Sequence, residues 1–395
     1  MKKLLMATAA TALLAAGSAS AESVKIGIIL GFTGPIESLT PHMGGAAELA
    51  IKEVSDSGLL LGGMTVEAVR ADSTCIDSGA ATAAAERLIT SEGVKGIMGA
   101  DCSGVTGAVL ANVAVPNGMV MISPSATSPA LSTADDNGLF FRTSPSDARQ
   151  GAVLAEVLLE KGYKSIALTY TNNDYGKGLS DAIATSYTAQ GGTVTITAAH
   201  EDGKADYSAE VGALASAGGD ILVVAGYVDQ GGPGIIRAAL DSGAFDVFAL
   251  PDGMIGEALE NTFGDEIEGS IGTIAGSDSP GAATMIEMAT AAGLTGESPY
   301  VSESYDAAAL ILLAMQAAGS VEPADYVSKI EMVANAPGEE IFPGELAKAL
   351  EILKNGGDID YVGASAVELI GPGESAGSFR EIEIKGGTIE TVSYR

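Results

Sequence analysis

The feature that most constrains this chain is a rhythm. Short apolar runs alternate with Ala-rich amphipathic stretches along most of its length. VKIGIIL at Val24–Leu30 is followed by a Gly loop and a helix over 44–55. Strands at 65–71, 95–99 and 119–122 are each separated from the next by a helical segment. Apolar runs that short, divided by helices, read as parallel strands buried on both faces. A second series repeats the pattern, with strands at 165–170, 193–199, 220–225, 246–250 and 269–275. Between the two, FFRTSP at 140–145 breaks the rhythm and reads as a crossing between lobes. Helices over 284–292, 301–319, 323–335 and 343–355 follow, then a hairpin over 379–392 turning at Gly386-Gly387. The expected fold is α/β: two Rossmann-like lobes with parallel sheets, joined by several hinge crossings. Residues 22–143 with 277–372 form the first lobe, and 144–276 with 373–395 the second.

In such sheets ligands sit beyond the carboxyl ends of the strands. The stretch MVMISPSATSPAL at Met119–Leu131 is a buried strand running into a loop of hydroxyls and prolines. Ser123, Ser125 and Thr127 stand where a small polar ligand would be held, although a Ser/Pro turn without a ligand has the same sequence. A similar loop, Asp101–Thr106, ends another strand. The first βα turn lacks GxGxxG, so a dinucleotide site is not supported.

Charge narrows the partners. The chain carries 51 acidic against 20 basic residues, for a net charge of −31. Phosphate backbones and anionic membranes need clustered Lys and Arg, so nucleic acid and membrane surfaces are excluded as expected partners. Hydrolysis through a Ser–His–acid triad has only His42 and His200 to draw on, and no GxSxG surrounds Ser103. Zinc-ligand spacing is absent, the acidic loop Asp72–Asp77 does not match a calcium hand, and neither metal nor cofactor is expected.

Lys2 and Lys3, the apolar run Leu4–Ala16 and Ala19-Ser20-Ala21 make an export signal over residues 1–21, with the mature chain starting at Glu22. In an exported protein the pair Cys75 and Cys102 points to a disulfide, two buried thiols being the alternative.

Seven motifs in order now carry a resemblance. They are VKIGIILGFTGP at 24–35, Cys75 with DCS at 101–103, MISPSATSP at 121–129, NNDYGKG at 172–178, VAGYVDQGG at 224–232, LPDG at 250–253 and YDAAAL at 305–310. Together they resemble the periplasmic leucine/isoleucine/valine-binding proteins of ABC importers, over essentially the whole mature chain. The resemblance implies a clamshell that closes on an amino acid and delivers it to an inner-membrane permease, acting as a monomer. It implies that Ser103 receives the ligand carboxylate. Ser125, Ala126 and Thr127 form the loop that binds carboxylate and amine. Tyr175 and Tyr227 cover the ligand from the second lobe, and Asp252 pairs with the ammonium where a Glu is usual. Tyr305 is placed near the hinge, and Cys75–Cys102 matches a family disulfide. Leu39 aligns where leucine binders carry a large aromatic over the side-chain pocket, which puts a strict leucine preference in doubt. The alternative is a ligand-sensing protein for an amide or other small carboxylate, reporting to a receptor. The expected end of the chain in a hairpin and a short tail at Arg395 favours the free shuttle.

Overall fold

The computed structural model describes residues 22–395; the expected signal segment lies outside them. Two seven-stranded sheets form the frame. The first runs Leu369–Ile370, Glu374–Ser375, Phe140–Arg142, Met121–Ser123, Ile97–Gly99, Ser23–Leu30, Thr65–Asp72. The second runs Thr388–Tyr394, Phe379–Lys385, Ile271–Ala275, Phe248–Pro251, Ile221–Ala225, Ser165–Thr171, Thr193–His200. In each, the five strands that come first in the chain are parallel and ordered 2-1-3-4-5. This is the doubly wound order whose ligand crevice opens where strand order reverses, between strands 1 and 3. Antiparallel pairs complete each edge: Leu369–Ile370 with Glu374–Ser375, and Phe379–Lys385 with Thr388–Tyr394.

The inner strands are buried on both faces because helices cover both. Ile26, Ile28, Ile29 and Leu30 in the first lobe are fully buried, as are Ile221 through Ala225 in the second. The helix Val301–Ala318 is apolar almost all round because it is the core helix of the first lobe, buried from Glu303 through Gln316. Among the described residues no single helix is long and apolar enough to cross a membrane.

Three differences from the sequence reading have physical causes. Phe140–Arg142 is the fifth strand of the first sheet, so the crossing starts at Thr143, three residues later than the motif suggested. A three-residue strand is too short to show periodicity. The first helix begins at Thr40, not 44, because Pro41 sits in its first turn, where its fixed φ and missing N–H cost nothing. The last crossing falls after Ser375, since Glu374 pairs with Arg142 in the first sheet; a boundary at 372/373 would cut that pairing. Sequence also gave no sign of the small sheet formed by Glu339–Ile341 and Ile359–Tyr361.

His200 ends an edge strand of the second sheet and is buried, with Nδ1 paired to the Thr169 hydroxyl at 2.9 Å and Nε2 unpartnered. Burial holds its imidazolium form down to a pKa of about 4, against 6.5 when free. The unfolded chain therefore takes up this proton first, and stability is lost as pH falls from 6.5 towards 4. The shift corresponds to about 3 kcal/mol. Chemical denaturation of His200→Gln and wild type at pH 7 and pH 4 should show the difference between them change by that amount, in favour of the variant. A difference independent of pH rules out a buried neutral imidazole.

Candidate functional site

The crevices of the two lobes face each other. From the first lobe come Ile36 and Leu39, after strand Ser23–Leu30, and Asp101, Cys102 and Ser103, after strand Ile97–Gly99. Ser125 and Tyr300 join them. From the second lobe come Tyr175, after strand Ser165–Thr171, Tyr227, after Ile221–Ala225, and Asp252 with Gly253, after Phe248–Pro251. The cavity they enclose is about 20 Å³, so the lobes are closed over it. Direct bonds between lobes hold the closure. The Ser38 amide donates to Asp229 at 2.8 Å, the Asp229 amide donates to the Pro35 carbonyl at 3.1 Å, and the Tyr300 hydroxyl donates to Asp252.

The first-lobe wall is built around a buried acid. Asp101 accepts from the Gly31 amide at 2.5 Å and from the Ser73 hydroxyl at 2.9 Å, tying three strand ends together. The disulfide Cys75–Cys102, with Cα atoms 5.1 Å apart, braces the same corner. Ser103 is the first residue of its helix and Cys102 takes the capping position, so the Ser103 side chain is not a cap. Its Oγ accepts from the Ser128 amide at 3.1 Å, which leaves its hydrogen free to donate into the cleft.

The serine loop is wired tightly. Ser123 Oγ accepts from the amides of Ser125 and Ala126 at 3.3 and 2.9 Å, and Ser125 Oγ donates to the Asp101 carbonyl at 3.1 Å. The amides of Ser125 and Ala126 are thus already used. Neither amide is free for a ligand, while the buried Thr127 Oγ1 makes no hydrogen bond. Ala126 and Thr127 stand behind the lining, not in it.

The second-lobe wall is aromatic. Tyr175 and Tyr227 stack with centroids 5.1 Å apart and planes 18° off parallel. Asp252 is buried and both its oxygens are engaged by tyrosine hydroxyls, Tyr175 at 2.8 Å and Tyr300. Gly253 permits this: a Cβ there would lie 2.7 Å from both the Gly226 carbonyl and the Tyr175 hydroxyl. Burial raises the Asp252 pKa, and the two hydroxyls oppose the rise.

One residue of the cleft lining and one behind it escaped sequence reasoning, and a third was misplaced. Asp147 opens the helix Asp147–Glu160 and is fully buried, yet neither carboxylate oxygen makes a hydrogen bond. Burial and the nearby Asp252 charge drive its pKa well above the usual carboxylate range, while the Thr127 hydroxyl alongside and the Arg142 charge pull it back. In sequence it reads as one more polar residue of a capping cluster, Ser144-Pro145-Ser146-Asp147. Tyr300 is the other; it lies just ahead of its helix in a left-handed conformation, φ 61°. Tyr305 is the misplaced residue. It is fully buried away from the cleft, its hydroxyl donating to Glu53 and accepting from the Gly344 amide at 3.3 Å. Five residues further along the helix, the side chain has turned towards the helix Thr40–Ser57.

A larger groove of about 530 Å³ runs outside the cleft, between Ser128–Ala130 and the helix Asp174–Ala189. Its lysine, Lys177, is already paired with Asp181 at 2.6 Å, and none of the buried acids opens into it. Among the described residues no cluster of His, Cys, Asp and Glu could hold a metal ion.

Comparison with known proteins bears on the family and the fold. A sequence model described as periplasmic binding protein matches residues 23–345. A Leu/Ile/Val-binding protein homologue of Brucella melitensis is 30% identical over 84% of this chain and 88% of its own. A branched-chain amino acid transporter substrate-binding protein of Streptococcus pneumoniae, solved with isoleucine, superposes with a TM-score of 0.78 at 20% identity, covering 95% of this chain and 99% of its own. An ABC-transporter solute-binding protein of Rhodopseudomonas palustris, solved with p-hydroxybenzoic acid, gives 0.76 at 19%, covering 95% and 97%.

Proposed function

This chain belongs to the periplasmic binding protein family, and from that premise we propose that it captures an amino acid, of branched-chain type or a related one, by closing its two lobes and delivers it to an ABC permease. It works in the periplasm as a monomeric carrier, after export and cleavage behind Ala21.

The observation that carries the choice of ligand is electrostatic. The cleft lining holds two acids and no Lys, Arg or His, and a further unpartnered acid, Asp147, lies beside Asp252. An ion enclosed there must be compensated. An ammonium supplies what Asp147 and Asp252 lack. The free Ser103 hydroxyl and the unpaired amides at the start of its helix suit the carboxylate of the same ligand. Tyr175 and Tyr227 cover it, and Leu39 with Ile36 closes the side-chain end. Binding shifts the population towards the closed form, which the permease recognises. A benzoate-type acid would bring a second uncompensated negative charge beside Asp252, so the amine-free reading is disfavoured.

A thermal-shift screen of residues 22–395, refolded to remove carried-over ligand, tests this. The panel holds the twenty standard L-amino acids, with benzoate and acetamide alongside. A ligand at 100 times its Kd adds about 2.7 kcal/mol. One class of amino acid should raise the melt; a rise with benzoate or acetamide alone overturns the reading.

A further inference from the structure

The two carbonyls that flank Thr127 are held by one side chain. Arg142 ends strand Phe140–Arg142 and is buried, 1% exposed. One guanidinium nitrogen, Nη1, donates to the carbonyls of Ala126 and Ser128, both at 3.0 Å. The other, Nη2, donates to Ser132 Oγ at 2.6 Å and to Glu374 Oε2 at 2.5 Å. Between the two gripped carbonyls, that of Thr127 accepts from the Asp147 amide at 2.9 Å. Thr127 is therefore fixed on both sides and on its own carbonyl, with its hydroxyl left over. Arg142 makes no hydrogen bond to Asp147; its ion pair is with Glu374, whose side chain is 20% exposed. Glu374 in turn sits beside the last crossing, and Thr143, next to Arg142, begins the first.

We propose that Arg142 is a positioning residue for ligand capture, holding the Ala126–Ser128 loop by its fork and acting on the Asp147 carboxylate by its charge, with Glu374 setting how much of that charge is felt. This rests on the amino-acid reading above. The fork matters because a lysine presents no pair of fixed donors to two carbonyls. The charge matters because Asp147 also faces Asp252, Tyr175 and Tyr300, none of which is cationic; the Thr127 hydroxyl and then Arg142 oppose its protonation, and of these only Arg142 carries a charge.

The two partners of the pair should therefore move ligand binding in opposite directions along the pH axis. Amino-acid affinity falls on acidification as Asp147 takes up a proton. Without the guanidinium, in Arg142→Gln, that acid limb moves to higher pH by about one unit. In Glu374→Gln the guanidinium is less compensated and the limb moves to lower pH. Arg142→Lys keeps the charge and loses the fork; its limb stays near wild type while affinity drops about 10-fold or more at every pH.

The experiment is calorimetric titration of the mature chain and the three variants from pH 4.5 to 8. The titrant is the tightest-binding of the twenty standard L-amino acids, and melting curves are taken alongside. Opposite displacement of the two acid limbs supports the assignment. Displacement in the same direction, or none in Glu374→Gln with the fold intact, overturns it and leaves Arg142 as a strut. If Arg142→Gln does not fold, the Glu374→Gln and Arg142→Lys profiles decide alone. Wild type that binds no amino acid at any pH overturns the amino-acid reading itself, and this inference with it.

Discussion

Asp147→Asn should separate stability from binding. In the unliganded protein the variant is expected to melt at or above wild type, yet its amino-acid Kd should rise about a hundredfold or more. The two effects have one cause. Both carboxylate oxygens of Asp147 are buried without a hydrogen bond, and Asp252 is close enough to raise its pKa further. Such a group costs the fold free energy. An amide of the same shape removes the like charge and gains N–H groups that Asp252 can accept from. The ligand loses what the fold gains. An ammonium enclosed without its carboxylate partner costs about 2–5 kcal/mol. A stabilised protein that binds poorly is the pattern of a site held in readiness for a ligand. Asp252 offers a less clean test, because removing its carboxylate also releases the Tyr175 and Tyr300 hydroxyls. Calorimetry with paired melting curves decides: a Kd within threefold of wild type removes Asp147 from the ammonium site.

The frame of this molecule was legible because burial on both faces leaves a mark that needs no partner to be seen. IGIIL and ILVVA are apolar throughout since each lies between two layers of helix. The residues that follow such strands fall at the crevice by topology, which is how the loops at 101–106 and 123–127 were read; Tyr175, Tyr227 and Asp252 came from the family resemblance, and the fold brings them to the same cavity as Ser103. What escaped depends on facts that lie outside any local window. Asp147 looks like a cap residue until the second lobe brings Asp252 beside it. Tyr300 precedes a helix by one residue, and its reach into the cleft depends on a left-handed turn that tyrosine rarely adopts. Tyr305 was placed by motif order, and helix rotation over five residues carried it to another face. The strand Phe140–Arg142 has only three residues, and Glu374 joins it from more than two hundred positions away. Contacts of that range are set by the fold as a whole.

Loss of the disulfide should be felt twice, once in stability and once in the cleft. The bond joins residues 27 apart in sequence. For a loop of that length the loop-closure argument gives about 3–4 kcal/mol. The Cys75→Ser, Cys102→Ser double variant should therefore unfold at lower denaturant than wild type with little change in slope. The second effect follows from position. Cys102 lines the cavity between Asp101, which ties three strand ends, and Ser103, whose Oγ holds the Ser128 amide. Freed from Cys75, this corner keeps only its hydrogen bonds to fix the hydroxyl proposed to meet the ligand carboxylate. Ligand affinity should fall along with stability, by about 10-fold on the scale of one charge-assisted hydrogen bond. Asp147→Asn is the contrast: there stability is kept and binding lost, whereas here both decline together. A double variant that unfolds earlier but binds as wild type would mean that Asp101 and the serine loop hold Ser103 without help. The bridge would then serve only the fold.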